Sequence, residues 1–541
     1  MSRLRILTVA AALAVAGLPL GLKAANPYLP LWEHIPDGEP YVFEDPDCPG
    51  RYRVYIYGSH DLIRTAYCGR NQVVWSADVE DLKHWRCDGI IFESKMDATG
   101  APLNGNGEGD VLFAPDVAEV TGADGTKTYY LYPNVQSGGR LAMVCRSNRP
   151  DGPFTPCNWD PAAPRSTVGV LGFDPAVFVD DDGRVYGYWG FNRSFAAELD
   201  PRTMATVKEG TEIVEDLVSS QLQPGVFRFF EASSVRKIKD KYVFIYSRWT
   251  EEGEFGLPKS NYTLAYAYSD NPLGPYSYGG TLIDARARSV DDKGNTIATA
   301  HPNGNTHGSL CEIGGRWYVF YHRQSGTNEF ARQAMVAPVE VRVTEGPGGK
   351  VEITEGEYTS EGFETEGLDP MERHSAGIAC YYSGPTPATD LHPNFHFSGS
   401  YVQACYPEWD GSGDPYDLKV NHNPVINNTA GSVVGYKYFN FNRFRRGLLT
   451  KKRLELHLLP QGVDGRITVM ADAPSATRGG IRLGALDLSA GMPQEMTEMS
   501  IPLSRIRRLK GKHALYFIFE SDTQGASLCE LHDFVFRKGR R

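Results

Sequence analysis

Five short strands, each ending in tyrosine, recur along the first two thirds of the 541-residue chain and constrain its fold more than any other feature. They occupy residues 53–57, 128–132, 184–188, 241–246 and 317–321, and their last residues are Tyr57, Tyr132, Tyr188, Tyr246 and Tyr321. Those tyrosines stand 75, 56, 58 and 75 residues apart. An apolar strand and a tight turn precede them, as at residues 177–183 and 310–315. Alternation at period two, bounded by turns, marks a β-hairpin. A hairpin repeated at intervals of tens of residues marks a radial or stacked architecture. One such hairpin leaves a face uncovered, whereas five blades around an axis cover one another and keep their edges short. The repeat therefore predicts a five-bladed β-propeller over residues 25–345, with an array of β-sandwiches as the competing arrangement. Aromatics at 11%, with 57 Gly and 35 Pro, suit many aromatic strands cut by turns.

Three acidic residues stand at the starts of inner strands. Asp37 precedes Val42-Phe43, Asp174 follows Phe173, and Glu231 follows Phe229-Phe230. Inner strands of a propeller converge on its axis, so these acids can meet from distant parts of the chain. A carboxyl among aromatic rings is costly to ionise, and its pKa rises, which suits a proton donor at neutral pH. Acids also cap turns, and the residues alone leave both roles open. The aspartates at 180–182 lack the spacing and the later Glu of an EF-hand loop, and read as a hairpin turn.

Over residues 26–344 these motifs resemble glycoside hydrolase family 43, whose catalytic domain is a five-bladed propeller. Asp174-Pro175 and Phe230-Glu231-Ala232 match the blade-three and blade-four motifs. In blade one the family's Ala-Asp-Pro reads Pro36-Asp37-Gly38, which keeps the Asp and not the Pro, and Glu39-Pro40 offers a competing register. The resemblance implies an inverting hydrolase with Asp37 as general base, Asp174 as the residue that tunes and orients, and Glu231 as general acid. It further implies sugar contacts from Asp116 and Arg332 and a place on the axis for His307, which is a candidate contact as well; His60, Asp61, Trp189 and Arg248 end or follow inner strands and offer hydrogen bonds or a stacking face to a sugar. No cofactor is required, and a structural calcium ion in the propeller channel at His307 is a possible addition. The expected substrates are plant-type oligosaccharides or polysaccharides, cut by an arabinofuranosidase, xylosidase, arabinanase or galactofuranosidase activity. The alternative is a non-catalytic glycan-binding protein on a decayed hydrolase scaffold. The fructan-cleaving propellers expect a Trp-x-Asn-Asp-Pro-x-Gly start and a Glu-Cys pair, and neither is present.

The tyrosine repeat ends near residue 344. A Glu-rich connection over 346–370 leads to alternating segments at 432–439, 453–458, 466–470, 513–519 and 528–536, which predict an antiparallel β-sandwich over 371–541. This part resembles carbohydrate-binding module family 6, with Tyr406, Trp409 and Tyr436 as candidate stacking residues. A sandwich that only buttresses the propeller is the other reading.

Residues 1–24 read as a signal peptide: Arg3 and Arg5, then an apolar run over 6–22, then Ala24. The mature chain is expected to be exported to the periplasm or beyond, with no membrane span. A net charge of −11 argues against nucleic acid or anionic lipid as a partner. Nine scattered cysteines form neither a metal motif nor a disulfide scaffold.

Overall fold

The structure, a computed structural model, describes residues 25–63, 65–391, 393–406, 411–447 and 451–539. The expected signal peptide and Trp409 lie outside the described residues. Those described form β-strands joined by turns and four short 3₁₀ turns, and none of their helices is long and apolar enough to cross a membrane.

Five antiparallel meanders follow one another in the described chain. Blade one is Glu39–Glu44, Tyr52–Tyr57, Gln72–Asp78 and Asp81–Phe92. Blade two is Asp116–Thr121, Lys127–Tyr132, Cys145–Ser147 and Thr155–Pro156. Blade three is Ala176–Val179, Val185–Trp189, Phe195–Leu199 and Val214–Glu215. Blade four is Phe229–Ile238, Lys241–Arg248, Thr263–Ser269 and Ser277–Asp284. Blade five has three strands, Ser309–Ile313, Arg316–Gln324 and Arg332–Val339.

The repeated tyrosines are the second-strand residues predicted, and all five are buried. Their role is to join blades. The hydroxyl of Tyr57 donates to Pro150 O at 2.7 Å, that of Tyr132 to Met204 O at 3.1 Å, and that of Tyr188 to Pro272 O at 2.8 Å. Each acceptor sits between the third and fourth strands of the next blade. A buried ring thus fills the space between blades while its hydroxyl finds a partner. Tyr246 instead packs with Tyr188, Phe229 and Phe244 in the cluster between blades three and four, and its hydroxyl makes no hydrogen bond among the described residues. The N-terminal segment closes the ring against the last strand of blade five. Asn26 Nδ2 donates to Val336 O at 2.8 Å, and Val336 N–H donates back to Asn26 Oδ1 at 3.1 Å.

Residues 346–370 pack tightly. Val351–Ile353 pairs with Val341–Val343, and Ile353 N–H donates to the Tyr266 hydroxyl of blade four at 2.9 Å. Phe363 lies edge-on against Tyr28 and Tyr318, at 5.6 and 5.1 Å between centroids. Beyond them, two antiparallel sheets face each other. One centres on Cys529–Gly539 and Lys451–Pro460, the other on Val433–Asn440, Lys512–Glu520 and Gly465–Ala471. Their inner side chains, such as Leu456, Phe517 and Phe534, belong to one apolar cluster that continues through Val319 and Met335 of blade five to Val243 and Leu282 of blade four. Burial of this size is the dominant favourable term in docking two layers.

Candidate active site

Asp37, Asp174 and Glu231 open into one cavity of about 540 Å³, within the usual range for a small-molecule site. Each is held by unusual backbone. Asp37 and Asp174 adopt positive φ, at 60° and 48°, just before the first strands of blades one and three. Non-glycine residues seldom pay that strain except where the surroundings demand it. Glu231 lies between two register shifts in the first strand of blade four, and such bulges re-aim a side chain beside a site. Phe113, Phe173, Phe191 and Phe230 form an aromatic collar, with successive centroids 6.2, 5.4 and 5.2 Å apart.

The surroundings drive two of these carboxyls in opposite directions. Burial raises Glu231 to about 8, and the charge of Asp37 adds to that shift. Burial opposes ionisation of Asp37 most strongly, but Arg332 together with smaller contributions, the Ser59 hydrogen bond among them, outweighs it and holds Asp37 below its ordinary value. Arg332 Nη1 donates to Asp37 Oδ1 at 3.1 Å, and Ser59 donates to Oδ2 at 2.5 Å. His322 completes the setting. Burial lowers its pKa to about 3, so the ring is neutral. Its Nε2 lies 2.9 Å from Asn305 O and its Nδ1 3.3 Å from Asp37 N, which fits a proton on Nε2. Asp174 accepts from Asn134 Nδ2 at 3.0 Å and from Ala232 N–H at 3.1 Å. Burial, then Glu231, then Asp37 push it well above its ordinary value. The like charge behind the Glu231 shift is therefore Asp37, where Asp174 was expected.

Arg332 and His307 line the cavity as predicted. Four other expected sugar contacts, together with Asp61, are placed differently. Asp61 is buried, and its oxygens accept from Arg332 Nε and Nη2, both at 2.9 Å, so it aims Arg332 rather than meeting a ligand. His60 spends both ring nitrogens on Asn71 and Glu33, at 2.7 and 3.1 Å. Asp116 accepts from the Tyr41 hydroxyl at 2.6 Å, Val117 N–H at 2.8 Å and Val177 N–H at 2.6 Å, which ties blades one, two and three together. Trp189 stacks on Phe195 at 5.8 Å inside the blade-three core. Arg248 donates to Val226 O and to Glu254, and lies over Tyr278. These residues begin or end inner strands as the true liners do, but their side chains are already engaged elsewhere. In the sandwich, Tyr436 is fully buried and unable to stack on a glycan, and Tyr406 stacks on His34 at 4.2 Å.

Sequence reasoning missed Tyr67, Glu329, Asn303, Asn305 and Asp390, all of which line the cavity. Glu329 carried a usable signal, three residues before Arg332. Asp390 carried none. The competing base, Glu39, sits in the channel, where Arg236 meets it at 2.8 Å, and burial raises it to about 8.

His307 is buried, both its ring nitrogens lack hydrogen bonds among the described residues, and burial lowers its pKa to about 4. Glu39 Oε1, also without a hydrogen bond among the described residues, lies 3.8 Å from Nε2. The described residues bring together no group of three or more His, Cys, Asp or Glu suited to a metal. One imidazole and one carboxylate fit a cation that keeps most of its own waters.

The profile described as glycosyl hydrolases family 43 matches residues 53–345, leaving Asp37 just upstream of the match. A xylosidase/arabinosidase of Thermoclostridium stercorarium is 33% identical over 432 residues, covering 77% of this chain and 82% of that protein. An arabinoxylan arabinofuranohydrolase of Paenibacillus polymyxa is 25% identical, covering 76% of this chain and 63% of that protein. The crystal structure of a family 43 arabinoxylan arabinofuranohydrolase from Bacillus subtilis with cellotetraose aligns over 94% of this chain and 96% of that one, at 20% identity and a TM-score of 0.40. The reading as a non-catalytic binding protein falls with the match to the family and to named enzymes. The chain belongs to glycosyl hydrolases family 43 and is a glycosidase acting on O-glycosidic bonds.

Proposed function

We propose that this glycosidase releases arabinofuranosyl or xylosyl units from plant-type oligosaccharides or polysaccharides, with inversion at the anomeric carbon. Glu231 gives its proton to the leaving oxygen, Asp37 takes a proton from the attacking water, and the bond from that water forms as the glycosidic bond breaks. The observation that carries this reading is the opposite displacement of Glu231 and Asp37 within one cavity. Environments that push two carboxyls apart assign the acid and the base. Asp174 positions them, and Arg332 keeps the base ionised. The names of the relatives, xylosidase/arabinosidase and arabinoxylan arabinofuranohydrolase, support the pentose specificity. Proton NMR of the first-formed sugar tests the stereochemistry: the anomer should be opposite to the substrate's, and a retained configuration overturns the assignment of Asp37 as base.

The sandwich is read as a relative of carbohydrate-binding module family 6 that works against the propeller. The burial of Tyr436 and the stacking of Tyr406 on His34 support a buttressing role over glycan binding. A hydrated calcium ion at His307 and Glu39 would serve structure, since the family's chemistry needs no cofactor. Export with removal of residues 1–24 belongs to the same proposal, supported by the basic start and apolar run of that segment.

A further inference from the structure

The sandwich domain supplies part of the catalytic cavity wall. A hairpin, Thr389–Leu391 with Asn394–His396, settles on a loop of blade five. Phe395 N–H donates to Thr327 O at 2.8 Å, and Asn394 bridges to Asn328. Phe395 is buried and meets His301 edge-on at 4.4 Å, and Phe397 meets the same ring at 5.4 Å. His301 is buried as well, and burial lowers its pKa to about 3, so it packs as a neutral plate. The segment that follows His301 carries Asn303 and Asn305 into the cavity. Held in this way, the hairpin sets Asp390 in the cavity wall.

Asp390 differs from Asp37 and Asp174. Ser59 and Arg332 answer Asp37, and Asn134 and Ala232 answer Asp174. The carboxylate of Asp390 has no hydrogen-bond or ion-pair partner among the described residues. It is half-buried, whereas Asp37, Asp174 and Glu231 are 4%, 4% and 7% exposed. The catalytic carboxyls therefore mark the floor and Asp390 the rim. A sugar unit to be released fills the floor, and the portion it leaves points outward past the rim.

We infer that Asp390 binds the leaving portion of a neutral oligosaccharide, its carboxylate accepting hydrogen bonds from sugar hydroxyls next to the scissile bond. The inference rests on the glycosidase reading above. A carboxylate suits vicinal hydroxyls because it offers acceptors only, and it repels a uronic acid at the same place.

The test uses the full chain with Asp390→Asn and Asp390→Ala. Each variant is assayed on a neutral pento-oligosaccharide and on the matching 4-nitrophenyl pentoside, whose leaving group carries no sugar hydroxyls. The oligosaccharide KM should rise about tenfold, as expected for one hydrogen bond to a charged group. Its kcat, the KM for the nitrophenyl pentoside and the melting temperature should stay unchanged. An unchanged oligosaccharide KM, or an equal rise on both substrates, overturns the inference. Turnover of the nitrophenyl pentoside by the unaltered protein is the separate check on the glycosidase reading.

Discussion

Replacing Glu231 by Gln keeps the shape of the side chain and removes its proton. Burial first, and the charge of Asp37 second, carry this carboxyl from an ordinary 4.5 to about 8. At pH 7 a carboxyl at its ordinary value would be protonated in about 0.3% of molecules, against about 90% for one near 8. The cavity thus multiplies the donor form by roughly 300, worth about 3 kcal/mol at about 1.4 kcal/mol per tenfold. Activity that needs the protonated form falls as pH rises through about 8. Stability moves with the same proton. A carboxyl raised on folding favours the folded state fully below its unfolded value, and that contribution is lost as pH climbs through the folded value. The Gln variant should therefore gain on the parent in urea unfolding as pH rises from 5 to 9. Its kcat/KM on substrates with poor leaving groups should drop about 10²–10⁴-fold. The alkaline limb of its pH profile should vanish, and a dinitrophenyl glycoside should suffer much less. A variant that keeps both the limb near pH 8 and the rate on poor leaving groups would refute the assignment of the acid.

The base is tested by a pair of variants: Asp37→Asn should lose about 10²–10⁴-fold in kcat, with partial rescue by azide, while Glu39→Gln should lose less because it lies in the channel on Arg236. The reverse order of damage moves the base to Glu39. Asp116→Asn should cost about 1–3 kcal/mol in urea unfolding, since a buried acceptor of three hydrogen bonds is altered. KM should be unchanged there, and a raised KM with full stability returns Asp116 to the sugar.

The propeller was legible because one physical need repeats. Three successive blade gaps are each filled by a ring, so Tyr57, Tyr132 and Tyr188 recur, each donating to a backbone carbonyl of the next blade. The place of Asp174 and Glu231 in the cavity was legible through their aromatic neighbours, Phe173 and Phe230, which mark a dry setting for an acid. Trp189 and Arg248 misled because strand ends alternate in direction, and only packing against Phe195 or Tyr278 decides which way each points. Asp390 was invisible, since it enters the cavity through a contact between Phe395 and His301, far apart in sequence, that leaves no local pattern.

The pairing of Arg332 with Asp37 joins residues separated by 295 positions. A ribosome adding about 5–20 residues each second takes roughly 15–60 s to pass from one to the other. Through that interval Asp37 has no Arg332 to pair with. The ring itself waits on the same event, because Asn26 closes onto Val336, four residues after Arg332. The chain therefore gains the Arg332–Asp37 pair and its closure together, late in synthesis, and no earlier nascent length holds the assembled cavity.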